Sequence, residues 1–300
     1  MHKTYAIIVG TNKGASTSVF NYLADHPTAC GSYIKQTNFF LGRVPGKEVT
    51  YDIEQGMEQY DDFFSQCDSN AKVLIEASPD YMYSSLAADR MQKYFANKNY
   101  RLIFLLRHPV SRFLSWYGFS KQTGLIPETM SVESYLQANQ SKNEDSNPAF
   151  EVLETGRYSE YIRLYQKKFG SDKLLFYFYE DLKQDSRAVL QQVSKDLSMD
   201  PSFYEEYTFE RYNPTVKVKS HQLRQIYIFL RRAAQRTVYE QPWFRQTFDK
   251  PIRWIQRKYK SVNSKVAHHE LSPATENFLV TYYQADMAKL TTLIGKPTPW

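Results

Sequence analysis

The most constraining feature of the chain is an apolar run that ends in a short glycine-containing turn. Residues 5–9 read Tyr-Ala-Ile-Ile-Val, and residues 10–18 continue as Gly-Thr-Asn-Lys-Gly-Ala-Ser-Thr-Ser. The β-branched run predicts a buried strand, and the pattern after the turn predicts the start of a helix. A turn of this kind presents free backbone N–H groups and the positive end of a helix dipole. It is either a phosphate-binding turn or an ordinary capped helix after a buried strand.

Side chains in this turn favour an anionic ligand. Lys13 supplies a positive charge, and Ser16, Thr17 and Ser18 supply hydroxyl donors. In a triphosphate P-loop the lysine follows the second glycine, whereas Lys13 precedes Gly14. The Gly-x-Gly-x-x-Gly dinucleotide fingerprint is absent as well. The turn therefore predicts a phosphorylated ligand held in a different way.

The pattern of apolar segments predicts the fold class. Continuous apolar runs, typical of strands buried on both faces, occur at residues 5–9, 72–75, 102–106 and 174–178. Helical patterns lie at residues 15–25, 84–96, 110–121, 158–169 and 181–197. This alternation predicts an α/β fold of three layers, with a central parallel sheet flanked by helices. After residue 200 we expect no further strands and a helical C-terminal part.

The chain length and two unusual segments define the expected organisation. A length of 300 residues is compatible with a single domain over residues 1–300. Residues 123–155 are polar and predict a surface excursion, either a lid over the ligand or a plain loop. Residues 217–260 form a basic helical segment, either a binding site for an acidic polymer or a solvated basic face.

Charge and cysteine usage narrow the function classes. The net charge of +6 is compatible with an anionic ligand, an acidic polymer or a membrane surface. Cys30 and Cys67 are too few for a disulfide framework, and we expect two free thiols rather than a bridge. The sequence shows no leader, no apolar run that could span a membrane and no metal-ligand cluster. We therefore expect a cytoplasmic protein without a metal.

A second ligand motif lies at residues 101–117. The predicted strand ends at Arg107, so its guanidinium lies at the carboxyl edge of the sheet, where α/β folds bind ligands. Ser115 follows two turns into the next helix, and the two side chains can bind one phosphate. The alternative is that Arg107 pairs with Glu76 or Asp80. Together with the turn at Lys13, the motif indicates a ligand with two separate phosphate groups.

Six segments resemble the sulfotransferases that use 3′-phosphoadenosine-5′-phosphosulfate (PAPS), in particular their glycan-type and bacterial branches. They are residues 13–18, 35–40, 76–81, 107–117, 177–182 and 290–300, and they span nearly the whole chain. The resemblance implies that the backbone of Gly14, Ala15, Ser16, Thr17 and Ser18 binds the 5′-phosphate. It implies that Lys13 stabilises charge on the bridging oxygen, that Arg107 and Ser115 bind the 3′-phosphate and that Lys219 contacts the nucleotide. The product would be 3′,5′-ADP (PAP).

Position 36 departs from the family pattern. The related segment reads Lys-Glu-x-x-Phe-Phe, with glutamate as general base, whereas this chain has Gln36, which cannot take a proton at neutral pH. Another base is one explanation, with Glu76 and His108 favoured over Asp80. A second explanation is that the acceptor is an amine. A third is that residue 36 has been altered from its natural identity. Purely structural roles for Glu76 and His108, in an ion pair and in a turn, stay open.

The expected reaction is sulfuryl transfer from PAPS to a hydroxyl or nitrogen of a small metabolite or sugar, by a bacterial-type enzyme. Such a transfer is an in-line displacement in which charge builds on the leaving phosphate. A non-catalytic module that binds a nucleotide or an acidic polymer is the first alternative, and a nucleotide-dependent kinase the second. Nucleic acid is not among the expected partners.

Overall fold

Five parallel strands form the central sheet of the computed structural model, which describes residues 3–42, 53, 56–141, 150–210, 216–218, 264–266 and 271–300. The strands are β1 (Thr4–Gly10), β2 (Ala29–Gly31), β3 (Val73–Ala77), β4 (Asn99–Leu106) and β5 (Leu174–Phe178), in the order β2-β3-β1-β4-β5. The four predicted strands are confirmed. The fifth, β2, adds an edge that the sequence did not predict.

The strand register brings the carboxyl ends of the strands to one edge of the sheet. Ile7 in β1 pairs with Glu76 in β3 on one side and with Leu102 in β4 on the other. Leu106, the last residue of β4, pairs with Phe178, the last residue of β5. In parallel sheets the loops that leave these ends are where ligands bind.

Eight α-helices in the described part of the chain accompany the sheet. They are α1 (Ser16–Ala24), α2 (Ser85–Phe95), α3 (Pro109–Thr123), α4 (Val132–Gln140), α5 (Tyr158–Phe169), α6 (Tyr179–Gln184), α7 (Ser186–Asp196) and α8 (Pro273–Ile294). Alternate residues of β1 pack into two cores, one with α2 and α5 and one with α1 and α7. The predicted three-layer α/β fold is thus confirmed. The predicted helix over 181–197 is divided, because the Asp185 side chain caps α7.

A third apolar cluster joins α3, α4 and α8 beside the sheet. It includes Val132 and Leu136 from the segment 123–155, so the described parts of that segment pack into the protein. The buried Arg112 on α3 donates to the carbonyl of Val152 (2.5 Å) and to Thr155 Oγ1 (3.0 Å). A lid function for residues 123–155 stays a prediction, and residues 142–149 lie outside the described ranges.

The expectation of no strands after residue 200 is wrong. Strand β6 (Val216–Val218) pairs antiparallel with β7 (Ser264–Val266), and the backbone of β6 packs against α3. Short pairs of this kind depend on partners distant in sequence, so three-residue strands leave almost no local pattern. Apart from residues 217–218, the predicted basic segment 217–260 lies outside the described residues.

The expectation of two free thiols is also wrong. Cys30 in β2 and Cys67 form a disulfide with a Cα–Cα distance of 5.8 Å. The bond ties the edge strand to the end of a 3₁₀-helical segment, Met57–Phe64. Disulfides are typical of oxidising compartments, so this bond weighs against the cytoplasmic location, which stays a prediction. Within the described ranges, the model contains no helix with the length and apolar character needed to cross a membrane.

Candidate active site

Loops from four neighbouring strands meet at the carboxyl edge of the sheet. Gln36 follows β2, Asp80 follows β3, Lys13 follows β1 and Arg107 follows β4. Because these strands are adjacent in the order β2-β3-β1-β4, the four loops lie side by side. Side chains that are far apart in sequence are thereby brought to one surface.

The turn after β1 leaves the N-terminus of α1 open. Lys13 (φ 68°) and Ala15 (φ 74°) both adopt left-handed backbone conformations, which non-glycine residues rarely occupy outside functional turns. Ala15 is the N-cap residue, and no side chain caps the helix. Val19 is the first residue whose N–H bonds back, to the Ala15 carbonyl (3.1 Å). The N–H groups of residues 16–18 thus have no intrahelical acceptor, as an anion-binding turn requires.

Gly14 is required by a close backbone approach. A Cβ at this position would lie 2.0 Å from the carbonyl oxygen of Leu105 in β4. The Gly14 N–H donates to the Thr11 carbonyl (3.1 Å), and the Thr11 N–H donates to the same Leu105 oxygen (3.0 Å). The turn is therefore held directly against β4, and the Gly14 N–H is used within the turn itself.

Arg107 connects the two sequence motifs. Its Nη1 donates to the carbonyl oxygen of Lys13 (3.3 Å), and its guanidinium lies 4.2 Å from the centre of the Tyr179 ring. The Lys13 Nζ lies 4.4 Å from the centre of the Phe119 ring on α3. The Lys13 turn and the Arg107 motif are thus in direct contact, as the prediction of one ligand with two phosphate groups requires.

The hydrogen-bonding capacity of the Arg107 guanidinium is only partly used by the described residues. Its Nε is buried and has no hydrogen-bond partner among the described residues. Burial lowers the pKa of Arg107, although Tyr179 and Glu180 act in the opposite direction. An arginine nevertheless stays charged at neutral pH. The alternative pairing with Glu76 or Asp80 is not seen, since both carboxylates bind other groups.

Of the two further predicted phosphate contacts, the structure describes Ser115 but not Lys219. Ser115 lies on α3, eight residues after Arg107, and is 8% exposed. Lys219 lies outside the described residues, and β6 ends one residue before it. The backbone of β6 packs against α3, the helix that carries Ser115.

Glu76 lies in the interior, at the end of β3. Its side chain has no exposed surface, and its Oε1 accepts hydrogen bonds from the Thr37 N–H (3.2 Å), from Thr37 Oγ1 (3.2 Å) and from Ser78 Oγ. Burial raises the pKa of Glu76 to about 7, against the opposing effect of these hydrogen bonds. The carboxyl group thus holds the loop after β2 against β3.

Several polar side chains near Glu76 form a hydrogen-bonded cluster at the carboxyl edge of the sheet. Gln36 Nε2 donates to Asp80 Oδ2 (3.0 Å), and Asn12 Nδ2 donates to Asp80 Oδ1 (2.5 Å). Lys35 Nζ lies 3.4 Å from both Ser16 Oγ and the Ala77 carbonyl. Burial lowers the pKa of Lys35 to about 8, opposed by the charges of Glu76 and Asp80. Asp80 therefore links the loop of Gln36 to the turn of Lys13.

With this geometry in place, comparison with known proteins decides the family. The sulfotransferase domain family matches residues 3–226, about three quarters of the chain. The chain belongs to the sulfotransferase family.

Individual relatives of this family member are distant and mostly longer. The membrane-associated sulfotransferase kil1 of Dictyostelium discoideum is 35% identical over 118 residues, which cover 39% of this chain and 23% of that protein. The bifunctional heparan sulfate N-deacetylase/N-sulfotransferase 1 of Caenorhabditis elegans is 24% identical over 217 residues, covering 70% of this chain and 23% of that protein. The match thus spans about a quarter of these relatives.

Among solved structures, the sulfotransferase from Alicyclobacillus acidocaldarius has a similar fold. Its TM-score is 0.64 at 18% sequence identity, and the match covers 99% of this chain and 98% of that one. At this level of identity the similarity concerns the fold.

His108, the other favoured base, follows Arg107 and contacts the segment after β5, away from Asp80, which follows β3. Its backbone N–H donates to Glu180 Oε1 (3.1 Å), and its ring packs edge-on against Trp300 with a centroid distance of 6.0 Å. Burial, followed by the charge of Arg107, lowers the pKa of His108 and so favours the neutral imidazole. Burial also raises the pKa of Glu180.

Sequence reasoning did not assign roles to Asn12, Tyr179 or Glu180. Asn12 precedes the lysine of the turn, and its position was the one available signal. Tyr179 and Glu180 follow β5, within the segment 177–182 that resembles the family. Within the described residues, no group of three or more His, Cys, Asp or Glu side chains could hold a metal ion.

Proposed function

We propose that this chain transfers a sulfuryl group from PAPS to a hydroxyl or nitrogen of a small metabolite or sugar. The main support is the contact of Arg107 Nη1 with the Lys13 carbonyl oxygen (3.3 Å). This contact brings a half-buried guanidinium against the turn that precedes the open N-terminus of α1. Two separate cationic positions of this kind suit a nucleotide that carries phosphates at both its 5′ and 3′ positions.

The turn after β1 would bind the 5′-phosphate end. The N–H groups of residues 16–18 point out of the uncapped helix start, and the hydroxyls of Ser16, Thr17 and Ser18 add donors. Ala15 in its left-handed conformation shapes the turn, and Gly14 allows its close approach to β4. The residues present therefore fit a phosphate without a metal ion.

The loop after β4 would bind the 3′-phosphate. Arg107 offers its half-buried guanidinium, and a phosphate accepts the N–H donors of such a group in pairs. Ser115 on α3 and Lys219 after β6 are proposed as further contacts. This set would distinguish PAPS from ATP, which lacks a 3′-phosphate.

Bound PAPS would supply an activated sulfuryl group, and the chain would stabilise the charge that develops on transfer. We assign this role to Lys13, which lies in the turn directly before the open N-terminus of α1. Donors that are already in position stabilise developing charge without reorganisation, and the loss of one costs about 10²–10³-fold in rate. Gln36 cannot accept a proton and is assigned no acid–base role.

The proposed acceptor class follows from the relatives. The relative from C. elegans is described as a heparan sulfate N-sulfotransferase, which suggests an amino sugar as the first acceptor to test. We also propose that residues 1–300 act as one domain, that residues 123–155 cover the acceptor and that residues 217–260 contribute contacts to acidic groups.

Calorimetric titration tests the nucleotide assignment. The chain is expected to bind 3′,5′-ADP at least tenfold more tightly than ADP with magnesium, and the reverse preference would favour a kinase. Transfer of ³⁵S from labelled PAPS to glucosamine and N-acetylglucosamine then tests catalysis. Binding of 3′,5′-ADP without transfer to any amine or hydroxyl acceptor would indicate a non-catalytic nucleotide-binding module.

A further inference from the structure

The Asp80 carboxylate lies between the Gln36 loop and the Lys13 turn. Its two oxygens accept separate hydrogen bonds, Oδ2 from Gln36 Nε2 (3.0 Å) and Oδ1 from Asn12 Nδ2 (2.5 Å). Both donors are neutral amides, so the hydrogen bonds leave the carboxylate charged, and the cation that its charge acts on is Lys35. A carboxylate has about four acceptor positions, so each oxygen keeps a lone pair. The side chain is partly exposed, unlike that of Glu76.

A general base must come within hydrogen-bond reach of the acceptor proton. Glu76 has no exposed surface, and the hydrogen-bonded Oε1 holds it against Thr37 and Ser78. His108 lies after β4, beyond Arg107, at the end of the site proposed for the 3′-phosphate. Asp80 instead lies beside Asn12, the residue before Lys13, where the reacting bond is expected.

Asp80 has the carboxylate that a general base requires, and Gln36 has an amide N–H that can hold this carboxylate in position. The motif that this segment resembles has a carboxylate at position 36, whereas here position 36 carries an amide and position 80 carries the carboxylate. A glutamate at position 36 would place a second negative charge at the 3.0 Å contact, which strongly disfavours double ionisation. The amide instead donates to Asp80 and fixes its orientation.

We propose that Asp80 is the general base of this site and that Gln36 is its positioning residue. The proposal rests on the proposed sulfuryl transfer from PAPS. The acceptor oxygen or nitrogen forms a bond to sulfur while the bond from sulfur to the bridging phosphate oxygen breaks, and that oxygen keeps the electron pair. The proton released by the acceptor passes to a free lone pair of Asp80.

The test compares Asp80→Asn with the double variant Asp80→Asn/Gln36→Glu, which exchanges the carboxylate and the amide. Asp80→Asn is expected to lower kcat for ³⁵S transfer by about 10²–10⁴-fold, the range for general-base catalysis. Its affinity for 3′,5′-ADP should stay within about threefold, because Asp80 does not bind the phosphates. The double variant should recover at least tenfold in kcat. Asp62→Asn, at an exposed aspartate, is the matched control and should match the unmodified chain.

Several outcomes would overturn the assignment. An Asp80→Asn variant that keeps more than a tenth of the kcat, or that loses 3′,5′-ADP affinity in parallel with kcat, would show that Asp80 is not the base. If Asp80→Asn loses kcat and the double variant does not recover it, Asp80 has a structural role and is not the base. Thermal unfolding of each variant identifies loss of fold, and Gln36→Glu alone then serves as a second variant. It should depress kcat through repulsion with Asp80, and an unchanged or raised kcat would refute the pairing. Absence of transfer by the unmodified chain would instead count against the proposed function.

Discussion

Replacing Glu76 with glutamine tests whether its buried carboxyl group holds a proton in the folded protein. Burial raises the pKa of Glu76 from its ordinary value of 4.5 to about 7. In Glu76→Gln, the amide oxygen can still accept the hydrogen bonds from Thr37 and Ser78. The variant therefore removes the titration while keeping the contacts.

The sign of the effect follows from proton binding. Between pH 4.5 and about 7 the folded protein keeps a proton that the unfolded chain releases. The free energy of unfolding therefore falls as the pH rises through this window, and the stabilising contribution of Glu76 is lost above it. The pKa differs by about 2.5 between the unfolded and folded states, and each unit corresponds to about 1.36 kcal/mol. The total loss in the free energy of unfolding is therefore about 3 kcal/mol. Most of it, about 2–3 kcal/mol, falls between pH 5 and pH 7.5.

Urea unfolding at pH 5 and pH 7.5 measures this contribution directly. From pH 5 to pH 7.5, the free energy of unfolding of Glu76→Gln should rise by about 2–3 kcal/mol relative to that of the unmodified chain, because glutamine has no proton to lose. Glu58→Gln, at an exposed glutamate, is the control and should follow the unmodified chain. If the curves for Glu76→Gln and the unmodified chain stay parallel from pH 5 to pH 7.5, the burial argument is wrong.

Three further perturbations examine other parts of the structure. Gly14→Ala should lower the free energy of unfolding by about 1–3 kcal/mol and weaken 3′,5′-ADP binding, because the new Cβ meets the Leu105 carbonyl at 2.0 Å; full binding by calorimetry would contradict the close approach. Cys67→Ser should cost about 4 kcal/mol in oxidised protein, from the 37-residue separation to Cys30. Dithiothreitol should destabilise the unmodified chain equally, and insensitivity to it would refute the bridge. Lys13→Ala should reduce single-turnover transfer by about 10²–10³-fold with a smaller loss of 3′,5′-ADP affinity, and equal losses in both would argue against charge stabilisation.

The parts of the fold that were predicted have strong local patterns. The strands β1, β3, β4 and β5 are apolar runs of five to eight residues, and such runs are readable without tertiary information. Strand β2 has only three residues, Ala29–Gly31, and it depends on its neighbours. A Cβ at Gly31 would lie 2.7 Å from the Phe20 ring, so its small size reflects packing rather than a local pattern.

The disulfide and the strand pair β6–β7 were not predictable for the same reason. Two cysteines 37 residues apart carry no information about their distance in space. Their bond depends on β2 lying at the sheet edge beside Cys67. Likewise, β6 and β7 are each three residues long, and their pairing is a tertiary contact.

In the candidate site, the sequence predicted which strand ends carry the polar residues but not their partners. Arg107 was expected at the carboxyl edge because an apolar strand ends there. Its bond to the Lys13 carbonyl and the bond of Gln36 to Asp80 depend on how separate loops pack. The role of Glu76 inside the protein likewise becomes visible only from its burial.

The central claim is that Arg107 recognises a 3′-phosphate on a nucleotide whose other end lies at the Lys13 turn. Calorimetric titration of 3′,5′-ADP and 5′-AMP into the unmodified chain and into Arg107→Ala tests it most directly. A charge-assisted hydrogen bond contributes about 1.5–3 kcal/mol, so the variant should lose about 10–150-fold in affinity for 3′,5′-ADP. Its affinity for 5′-AMP should change less than about threefold, and Arg101→Ala, at the start of the same strand, should leave both affinities unchanged. Equal losses for the two nucleotides in Arg107→Ala would contradict the account.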